Sequence, residues 1–280
     1  MATIPVDAAT AILLRPCPET GIKDIEVLLV RRNRRSSFVP GYYVFPGGVI
    51  DPEDYDPGTE RFIRGIDGRQ AGRIITDMSH PAKTLGAWFA AIRETFEEVG
   101  VLIARKKDGA FVTIRTQEER RRFLNYRRAL GKGEIKFSQI LEAEQIFLAG
   151  DCLHYFSHWI TPEPLPLRYD VRFFLAEAPS GQEVVCDGVE LTDHIWLRPS
   201  AALADYEAGR IGMVLPQIMT LAELSRFQTV AETIAASGQR NIAANLTRIR
   251  HIDGQDVEVM PDGTFWEIRP PVYSCPDRKK

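Results

Sequence analysis

The sequence predicts an α/β fold built on a mixed β-sheet. Short apolar segments alternate along the chain with segments of helical period, a pattern typical of layered α/β domains. Hairpin-like pairs of strands stand near both ends of the chain, which favours a mixed sheet over a doubly wound parallel one. The 280 residues, 44% hydrophobic and 26% charged, have an ordinary globular composition. We interpret residues 1–280 as a single domain.

Strands are predicted where β-branched and aromatic residues cluster between turn residues. The first two, over 8–15 and 25–31, are close enough in the chain to form a hairpin. An aromatic strand over 42–45 leads to a turn at Gly47 and Gly48, where glycine allows tight geometry and the close approach of a ligand. The other predicted strands are 101–103, 111–114, 153–160, 169–176, 188–197, 257–260 and 264–268.

Helices are predicted where apolar residues recur at helical spacing. The strongest covers 87–98 and follows an irregular, glycine-containing stretch over 55–86, which we interpret as a partly ordered insertion with one short helix. Residues 199–236 form a C-terminal helical part, with helices over 200–209 and 215–236. Two further helices are predicted over 117–130 and 138–148.

Composition and charge exclude several classes of protein. The formal net charge of −3 does not indicate a nucleic-acid or membrane-surface partner, and no apolar run reaches the roughly 18 residues that a membrane span needs. The ends of the chain lack the features of a secretory signal and of a peroxisomal Ser-Lys-Leu address. Four scattered cysteines suit a reducing compartment. We therefore expect a cytoplasmic protein.

An acidic motif near the end of the helix over 87–98 points to chemistry. Glu94, Glu97 and Glu98 occupy positions i, i+3 and i+4, which share one face of an α-helix. Because like charges at this spacing repel, either a cation faces them or they form an ordinary solvated surface. A hard divalent ion such as Mg²⁺ binds carboxylate oxygens and leaves positions for water and phosphate.

The glycine turn and the acidic helix together resemble the Nudix hydrolase family, whose box is G-x5-E-x7-R-E-U-x-E-E-x-G-U with U aliphatic. The second half of the box matches from Arg93 to Val101, except that Thr95 replaces an aliphatic residue. In the first half, Gly48 is followed by Asp54 in place of glutamate, and a long insertion precedes Arg93. This split box is similar to the branch related to the coenzyme A diphosphatases, as are the stretches 28–48 and 159–174.

The resemblance implies a Nudix-type α/β/α sandwich with a mixed β-sheet, an insertion within the box and added C-terminal helices. It also implies a site for Mg²⁺ or Mn²⁺. Arg93 would hold the glutamates of the box in place. The implied metal ligands are the Gly47 carbonyl, Glu94, Glu97 and Glu98.

The other candidate residues lie partly outside the box. Asp54, a shorter acid after an insertion, is expected to cap or orient rather than bind metal. The general base is either Glu98 or an acid outside the box, for which Glu190 is our candidate; a surface acid is the alternative for Glu190. Arginines, which bind phosphates bidentately, are candidate substrate contacts, with ordinary surface charge as the alternative. They are Arg31, Arg32, Arg34, Arg35, Arg168 and Arg172.

These residues predict the metal-dependent hydrolysis of an organic diphosphate. Coenzyme A or acyl-coenzyme A, cut into 3′,5′-ADP and (acyl-)phosphopantetheine, is the substrate that the resemblance implies. Two alternatives stay open: another nucleoside diphosphate derivative, such as ADP-ribose or a dinucleotide, and a non-catalytic Nudix-fold module that senses a ligand. We expect a small-molecule substrate and neither a nucleic-acid nor a membrane partner. The insertion over 55–86 is predicted to serve as a lid or as a homodimer contact.

Overall fold

A mixed β-sheet runs through the centre of the molecule and carries helices on both faces. The computed structural model describes residues 3–19, 23–163, 165–238 and 240–268. The strands are β1 (Val6–Pro16), β2 (Ile25–Arg32), β3 (Tyr43–Val44), β4 (Gly47–Val49), β5 (Ile63–Arg64), β6 (Ala104–Lys106), β7 (Ile146–Ala149), β8 (His154–Glu163), β9 (Tyr169–Glu177), β10 (Leu191–Leu197), β11 (Ala244–Ile252), β12 (Gln255–Val259) and β13 (Phe265–Glu267).

The order of the strands confirms a mixed sheet. Within the described ranges the larger sheet has the order β10-β2-β1-β9-β8-β11-β12-β13, with β3 paired to β2 and β4 paired to β1. The β1–β9 and β8–β11 pairs are parallel, whereas β1 and β2 form the predicted antiparallel hairpin. The strands β5, β7 and β6 form a second, smaller sheet.

The helices form the two outer layers. Along β1, Ala11 and Leu13 pack into one buried cluster with residues of α2, α3 and α4, whereas Ile12 and Leu14 pack into another with residues of α5, α6 and α7. This alternation is that of a strand covered on both faces. The chain is thus an α/β/α sandwich, as the resemblance implied. The helices are α1 (Gly68–Ile74), α2 (Pro81–Val99), α3 (Gln117–Gly131), α4 (Phe137–Glu144), α5 (Pro199–Glu207), α6 (Leu215–Leu224) and α7 (Val230–Ser237).

The boundaries of several predicted elements differ in the structure. The helix predicted from 87 begins earlier, at Pro81, because His80 caps it by accepting the Ala82 N–H and proline is favourable in a first turn. The helix predicted over 138–148 ends at Glu144, since Gln145 adopts a left-handed conformation with φ 52°. A strand, β7, follows directly.

Some predictions were wrong about the element itself, and some elements were not predicted. The helix predicted over 215–236 is two helices, because Thr229 starts α7 as an N-cap that accepts the Glu232 N–H. The strand predicted over 101–103 lies at β6 instead, and Phe111 contributes an isolated bridge where 111–114 was predicted as a strand. Strand β11 was not predicted.

No helix in the described part of the chain is long and apolar enough to cross a membrane.

The insertion over 55–86 has more structure than the predicted partial order. It contains 3-10 helical turns, the strand β5 and the helix α1 before it leads into α2. Phe62, Ala71 and Ile75 join the buried cluster that α2 forms with the sheet. The insertion therefore packs against the helix that carries the box glutamates.

Candidate active site

The helix α2 brings the second half of the box to the edge of the sheet. It ends at Gly100, whose φ of 74° gives the left-handed conformation that favours glycine after a helix. Thr95, which stands at a usually aliphatic position, is completely buried, and its hydroxyl donates to the Ala91 carbonyl at 2.7 Å. That hydrogen bond pairs the hydroxyl within the helix, so the buried threonine leaves no unpaired hydroxyl.

The two glycines of β4 let the glutamates of α2 approach the backbone. A Cβ atom on Gly48 would lie 2.5 Å from the Glu94 carboxyl carbon, and one on Gly47 would lie 2.5 Å from the Ala9 carbonyl oxygen. Only glycine avoids both overlaps. The Gly47 N–H donates to Glu98 Oε2 at 2.9 Å. Gly48 thus leaves the space in which the Glu94 carboxylate lies, and Gly47 lets β4 lie close against β1.

Arg93 is the centre of a buried ion-pair cluster. Its Nε and Nη2 donate to the two oxygens of Asp54 at 2.7 and 2.8 Å, and its Nη1 donates to Glu94 at 2.8 Å and Glu97 at 3.0 Å. Asp54 is 2% exposed and also accepts the Asp51 N–H at 2.8 Å. Asp54 thus accepts hydrogen bonds both from the backbone of Asp51 and from the Arg93 guanidinium.

Burial dominates the electrostatics of the glutamates. It raises the pKa of Glu94 to about 7, although Arg93 opposes this shift. It raises the pKa of Glu98 well above the usual range, and the negative charge of Glu94 adds to that effect. The pKa of Glu97 is raised for the same first reason. Closely spaced, partly or fully buried carboxylates of this kind fit a hard divalent cation, whose charge would offset both desolvation and repulsion.

The side chains are not arranged as a finished metal centre. Among the described residues, no three His, Cys, Asp or Glu side chains converge as a metal-binding group. Arg93 holds one oxygen each of Glu94 and Glu97, which leaves their second oxygens without this partner. The donor chemistry of these carboxylates therefore fits a divalent ion.

A cavity of about 320 Å³ opens in front of the carboxylates. It is lined by Glu94 and Glu98 and also by Glu190, the candidate acid outside the box. Glu190 is exposed, and its N–H donates to Asp187 at 3.0 Å. The structure therefore brings Glu190 to the same cavity as the box, at a position open to solvent.

The upstream arginines separate into two groups. Arg32 lines the cavity, where its Nε donates to the Phe38 carbonyl at 3.0 Å and its Nη2 donates to Ser36 Oγ at 2.8 Å. These contacts orient the guanidinium beside the carboxylates. The structure does not bring the other three to this cavity; they are Arg31, Arg34 and Arg35.

The prediction that Arg168 and Arg172 line the site selected the wrong face of β9. Tyr169, Val171 and Phe173 line the cavity, so the side chains that alternate with them point to the other face of the strand. Arg168 is 4% exposed and donates to backbone carbonyls on Thr161 and Thr3, at 2.9 and 2.7 Å.

Arg172 belongs to a second buried cluster, on the face of β9 away from the cavity. It is completely buried and paired with Asp170, and its Nη2 lies 3.2 Å from Asp77 Oδ1. His158 lies between the same two aspartates, 2.5 Å from Asp170 and 3.1 Å from Asp77. Since Asp77 lies in the insertion, between α1 and α2, this cluster fixes the insertion to the sheet.

Sequence reasoning missed the part of the cavity that the C-terminal segments provide. Trp159 on β8, Gln217 on α6, Thr247 on β11 and Glu258 on β12 all line it. Trp159 begins a stretch that resembles the family branch, but no motif marks Gln217, Thr247 or Glu258, and β11 itself was not predicted. Their positions depend on the pairing of β11 with β8, which joins distant parts of the chain.

The fold and the site together define a Nudix-type domain, and comparisons with known proteins agree. The model of the NUDT19 Nudix domain matches residues 70–226. The chain is 26% identical over 244 residues to the acyl-coenzyme A diphosphatase NUDT19 of Xenopus laevis, covering 78% of this chain and 64% of that protein. It is likewise 26% identical over 247 residues to the human protein of that name, with the same coverage of 78% and 64%.

A solved structure supports the same assignment. A Nudix hydrolase from Alicyclobacillus acidocaldarius is 27% identical with a TM-score of 0.67, covering 83% of this chain and 96% of that one. Because the NUDT19 model matches more than half of the chain, the chain belongs to the Nudix hydrolase family, in the NUDT19 branch. The chain spans 64% of the length of each of the two curated relatives above.

Proposed function

We propose that this chain hydrolyses the diphosphate of coenzyme A or acyl-coenzyme A, giving 3′,5′-ADP and (acyl-)phosphopantetheine, with Mg²⁺ or Mn²⁺. The observation that carries the proposal is the pair of carboxylates, partly exposed Glu94 and buried Glu98, at a cavity also lined by Arg32. The names of the relatives in the NUDT19 branch support the choice of substrate.

The residues of the box have distinct proposed roles. Glu94, Glu97 and Glu98 would hold the cation, with the Gly47 backbone close to Glu98. When bound, a divalent cation supplies positive charge that offsets the charge of the diphosphate oxygens and makes water more acidic. Arg93 orients Glu94 and Glu97 through the hydrogen bonds at 2.8 and 3.0 Å.

Two residues outside that set complete the proposed site. Arg32 offers a cationic guanidinium to a phosphate oxygen. Glu190, open to solvent and on the same cavity, accepts the proton of the attacking water. Its charge also contributes to the raised pKa of Glu98, after burial and the charge of Glu94, which indicates that Glu190 lies within electrostatic reach of the cluster.

A substrate panel with product identification tests the proposal. Coenzyme A, dephospho-coenzyme A, ADP-ribose and a dinucleotide diphosphate are offered with Mg²⁺ or Mn²⁺. We expect 3′,5′-ADP from coenzyme A, and we expect Glu98→Gln to lower kcat by about 10²–10³-fold, a loss typical of removing an electrostatic element of a site. Exposed Glu183→Gln, whose partner is Arg120, is the control and keeps the wild-type rate.

The other outcomes identify the alternatives. Faster cleavage of ADP-ribose or the dinucleotide than of coenzyme A would replace the substrate assignment. Tight binding of a diphosphate with no product under either metal would indicate a ligand-sensing module instead of an enzyme. An unchanged kcat in Glu98→Gln would contradict metal-dependent hydrolysis at this cluster.

A further inference from the structure

The turn over residues 187–191 leads into β10 and brings Glu190 to the cavity. The carboxylate of Asp187 accepts three backbone N–H groups of this turn. Its Oδ2 accepts from Glu190 at 3.0 Å, and its Oδ1 accepts from Val189 at 3.2 Å and from Leu191 at 2.9 Å. Aspartate commonly stabilises a turn in this way, by hydrogen bonds to backbone groups a few residues on. One side chain therefore organises the backbone around Glu190.

The backbone of Asp187 contacts the helix that carries the box. Its N–H donates to the Glu98 carbonyl at 3.0 Å, in the last turn of α2. Glu98 is also the box residue whose buried carboxylate lines the cavity. Asp187 is thus joined to the box helix through its main chain and to Glu190 through its side chain.

A second set of contacts joins the same turn to the strand that carries Arg32. The Asn33 N–H donates to the Glu190 carbonyl at 2.8 Å, and the Asn33 side-chain amide donates to the carbonyl of the preceding residue at 2.9 Å. Leu191 is completely buried and is the partner of Arg32 in the β10–β2 pair. The backbone of Glu190 is therefore held both by Asp187 and by the end of β2.

The side chain of Glu190 depends on this backbone for its place. In the part of the chain that the structure describes, its exposed carboxylate has no hydrogen bond or ion pair of its own. Burial is the first cause of the raised pKa of Glu98 and of Tyr169, and the charge of Glu190 adds to both shifts. Since Glu98 and Tyr169 line the cavity, the carboxylate of Glu190 acts on the cavity from a position that its main chain sets.

We propose that Asp187 is a positioning residue, which holds Glu190 at the cavity by joining its backbone to the last turn of the box helix. This role rests on the proposed function, in which Glu190 accepts the proton of the attacking water. A proton acceptor must lie within hydrogen-bond reach of that water, and a displacement of about 1 Å can lower a rate about 100-fold. Asp187 does not line the cavity, so it acts through Glu190.

Asp187→Asn removes one of the three hydrogen bonds selectively. The amide oxygen can replace Oδ1 and accept from Val189 and Leu191, whereas the NH2 group then replaces Oδ2 and meets the Glu190 N–H donor to donor. We expect kcat to fall by about tenfold, the equivalent of one hydrogen bond. KM should stay unchanged, because Arg32 keeps its contacts.

Gly188→Ala perturbs the same turn without a change of charge. Gly188 has a φ of 76°, in the left-handed region that favours glycine. A Cβ atom there would meet nothing within 4 Å, so alanine strains the backbone without a clash. We expect a smaller loss of kcat in the same direction. A wild-type kcat in Gly188→Ala, with a loss in Asp187→Asn, would mean that Asp187 acts by its charge and would overturn the positioning role.

A double-mutant cycle distinguishes positioning from a general structural role. The kcat for the fastest substrate of the panel is measured for the wild type, Asp187→Asn, Glu190→Gln and the double variant. Glu190→Gln should lower kcat about 10²–10⁴-fold, as for the loss of a general base. Adding Asp187→Asn to Glu190→Gln should cause no further loss, because residues that act as a unit are not additive.

Asp193→Asn is the matched control for the loss of a carboxylate. Asp193 is exposed, accepts the His194 N–H at 2.8 Å and does not line the cavity. Its charge lies within electrostatic reach of Cys186, as does that of Asp187. The control therefore removes a similar charge near the same turn, and its kcat should stay at the wild-type value.

Amide hydrogen exchange tests the contact without any turnover. In metal-free protein, the Glu190 N–H should exchange about tenfold faster in Asp187→Asn than in the wild type, because it loses the carboxylate that protects it. In Asp193→Asn it should exchange at the wild-type rate. A wild-type rate in Asp187→Asn would contradict the contact on which the positioning role depends.

The kinetic outcomes distinguish this role from the proposed function. Losses of kcat that multiply in the double variant, or an equal loss in Asp193→Asn, overturn the positioning role and leave the proposed function in place. An unchanged kcat in Glu190→Gln also overturns it, since Asp187 would then position no proton acceptor. If the wild type hydrolyses no diphosphate, the proposed function fails, and the exchange of the Glu190 N–H alone decides whether Asp187 holds the turn.

Discussion

Two buried arginines occupy similar environments and have different consequences for the molecule. Arg93 is 7% exposed and paired with Asp54, which directly precedes the insertion. Arg172 is 0% exposed and paired with Asp77, which lies inside the insertion. Arg93 also contacts two box glutamates, whereas Arg172 contacts no residue of the cavity lining through its hydrogen bonds.

The difference shows that a buried ion pair is not by itself a sign of a functional site. Both clusters fix the insertion to the core, one through Arg93 and α2 and the other through Arg172 and β9. Of these two clusters, only the one around Arg93 also holds a side chain that lines the cavity, Glu94. A substitution at Arg93 should therefore lower both stability and activity. A substitution at Arg172 should lower stability and leave activity unchanged.

The largest effect is expected from Arg93→Met. It leaves Asp54, Glu94 and Glu97 without their common partner, so the free energy of unfolding should fall by about 3–5 kcal/mol. The kcat of the folded fraction should fall about 10–100-fold, as for the loss of residues that orient metal ligands. Urea unfolding and turnover per folded molecule measure the two effects.

Asp54→Asn keeps the shape of the cluster and serves where Arg93→Met does not fold. It should lower stability less, because Glu94 and Glu97 still pair with Arg93. Turnover should fall, since Arg93 loses the carboxylate that holds its Nε and Nη2. Wild-type turnover in both variants would show that the cluster is structural only.

A smaller effect, confined to stability, is expected from Arg172→Met. The loss should be about 2–4 kcal/mol, below that at Arg93, because Asp77 is 49% exposed at its side chain and water screens its charge. Turnover per folded molecule should stay at the wild-type value, and protease cleavage near residues 75–80 should increase. A loss of kcat without a loss of stability would place Arg172 in the active site after all.

The same two arginines show what the sequence could predict. Glu94, Glu97 and Glu98 lie within five residues, so helical geometry alone placed them together. The strand β9 gave two alternating faces, and local pattern did not decide which one meets the cavity. The contact between Arg93 and Asp54 crosses the insertion, and only the resemblance suggested that Asp54 orients.

The C-terminal part of the site was beyond sequence reasoning for a further reason. Strand β11 carries polar and charged residues such as Arg248 and Arg250 in alternation with others, so it lacks the apolar signal of a buried strand. Thr247 and Glu258 are buried only because β11 pairs with β8 and β12. Tertiary pairing of this kind leaves no local trace.

The smallest effect concerns Asp7, which extends the cluster around Arg172 to the start of α2. Lys83 Nζ and Ser79 Oγ donate to Asp7 Oδ2 at 2.7 and 2.6 Å. Burial alone would raise the pKa of Asp7, but these two hydrogen bonds and the charges of Lys83 and Arg172 lower it below its ordinary value of 3.8. Asp7 therefore stabilises the fold in its ionised form.

The sign of this shift sets the pH dependence of Asp7→Asn. A carboxyl whose pKa is lowered on folding contributes its stability above the unfolded-state pKa, and the contribution is lost as pH falls through the folded-state pKa. At pH 7 we expect Asp7→Asn to lower the free energy of unfolding by about 1.5–3 kcal/mol. Urea unfolding between pH 7 and pH 3 should show the difference in stability from the wild type narrowing at the acid end.

Exposed Asp108→Asn is the matched control and should follow the wild type throughout. A difference in the free energy of unfolding that stays constant with pH would mean that Asp7 stabilises the fold through its packing and not through its charge. The charged cluster around Arg172 would then end at β9.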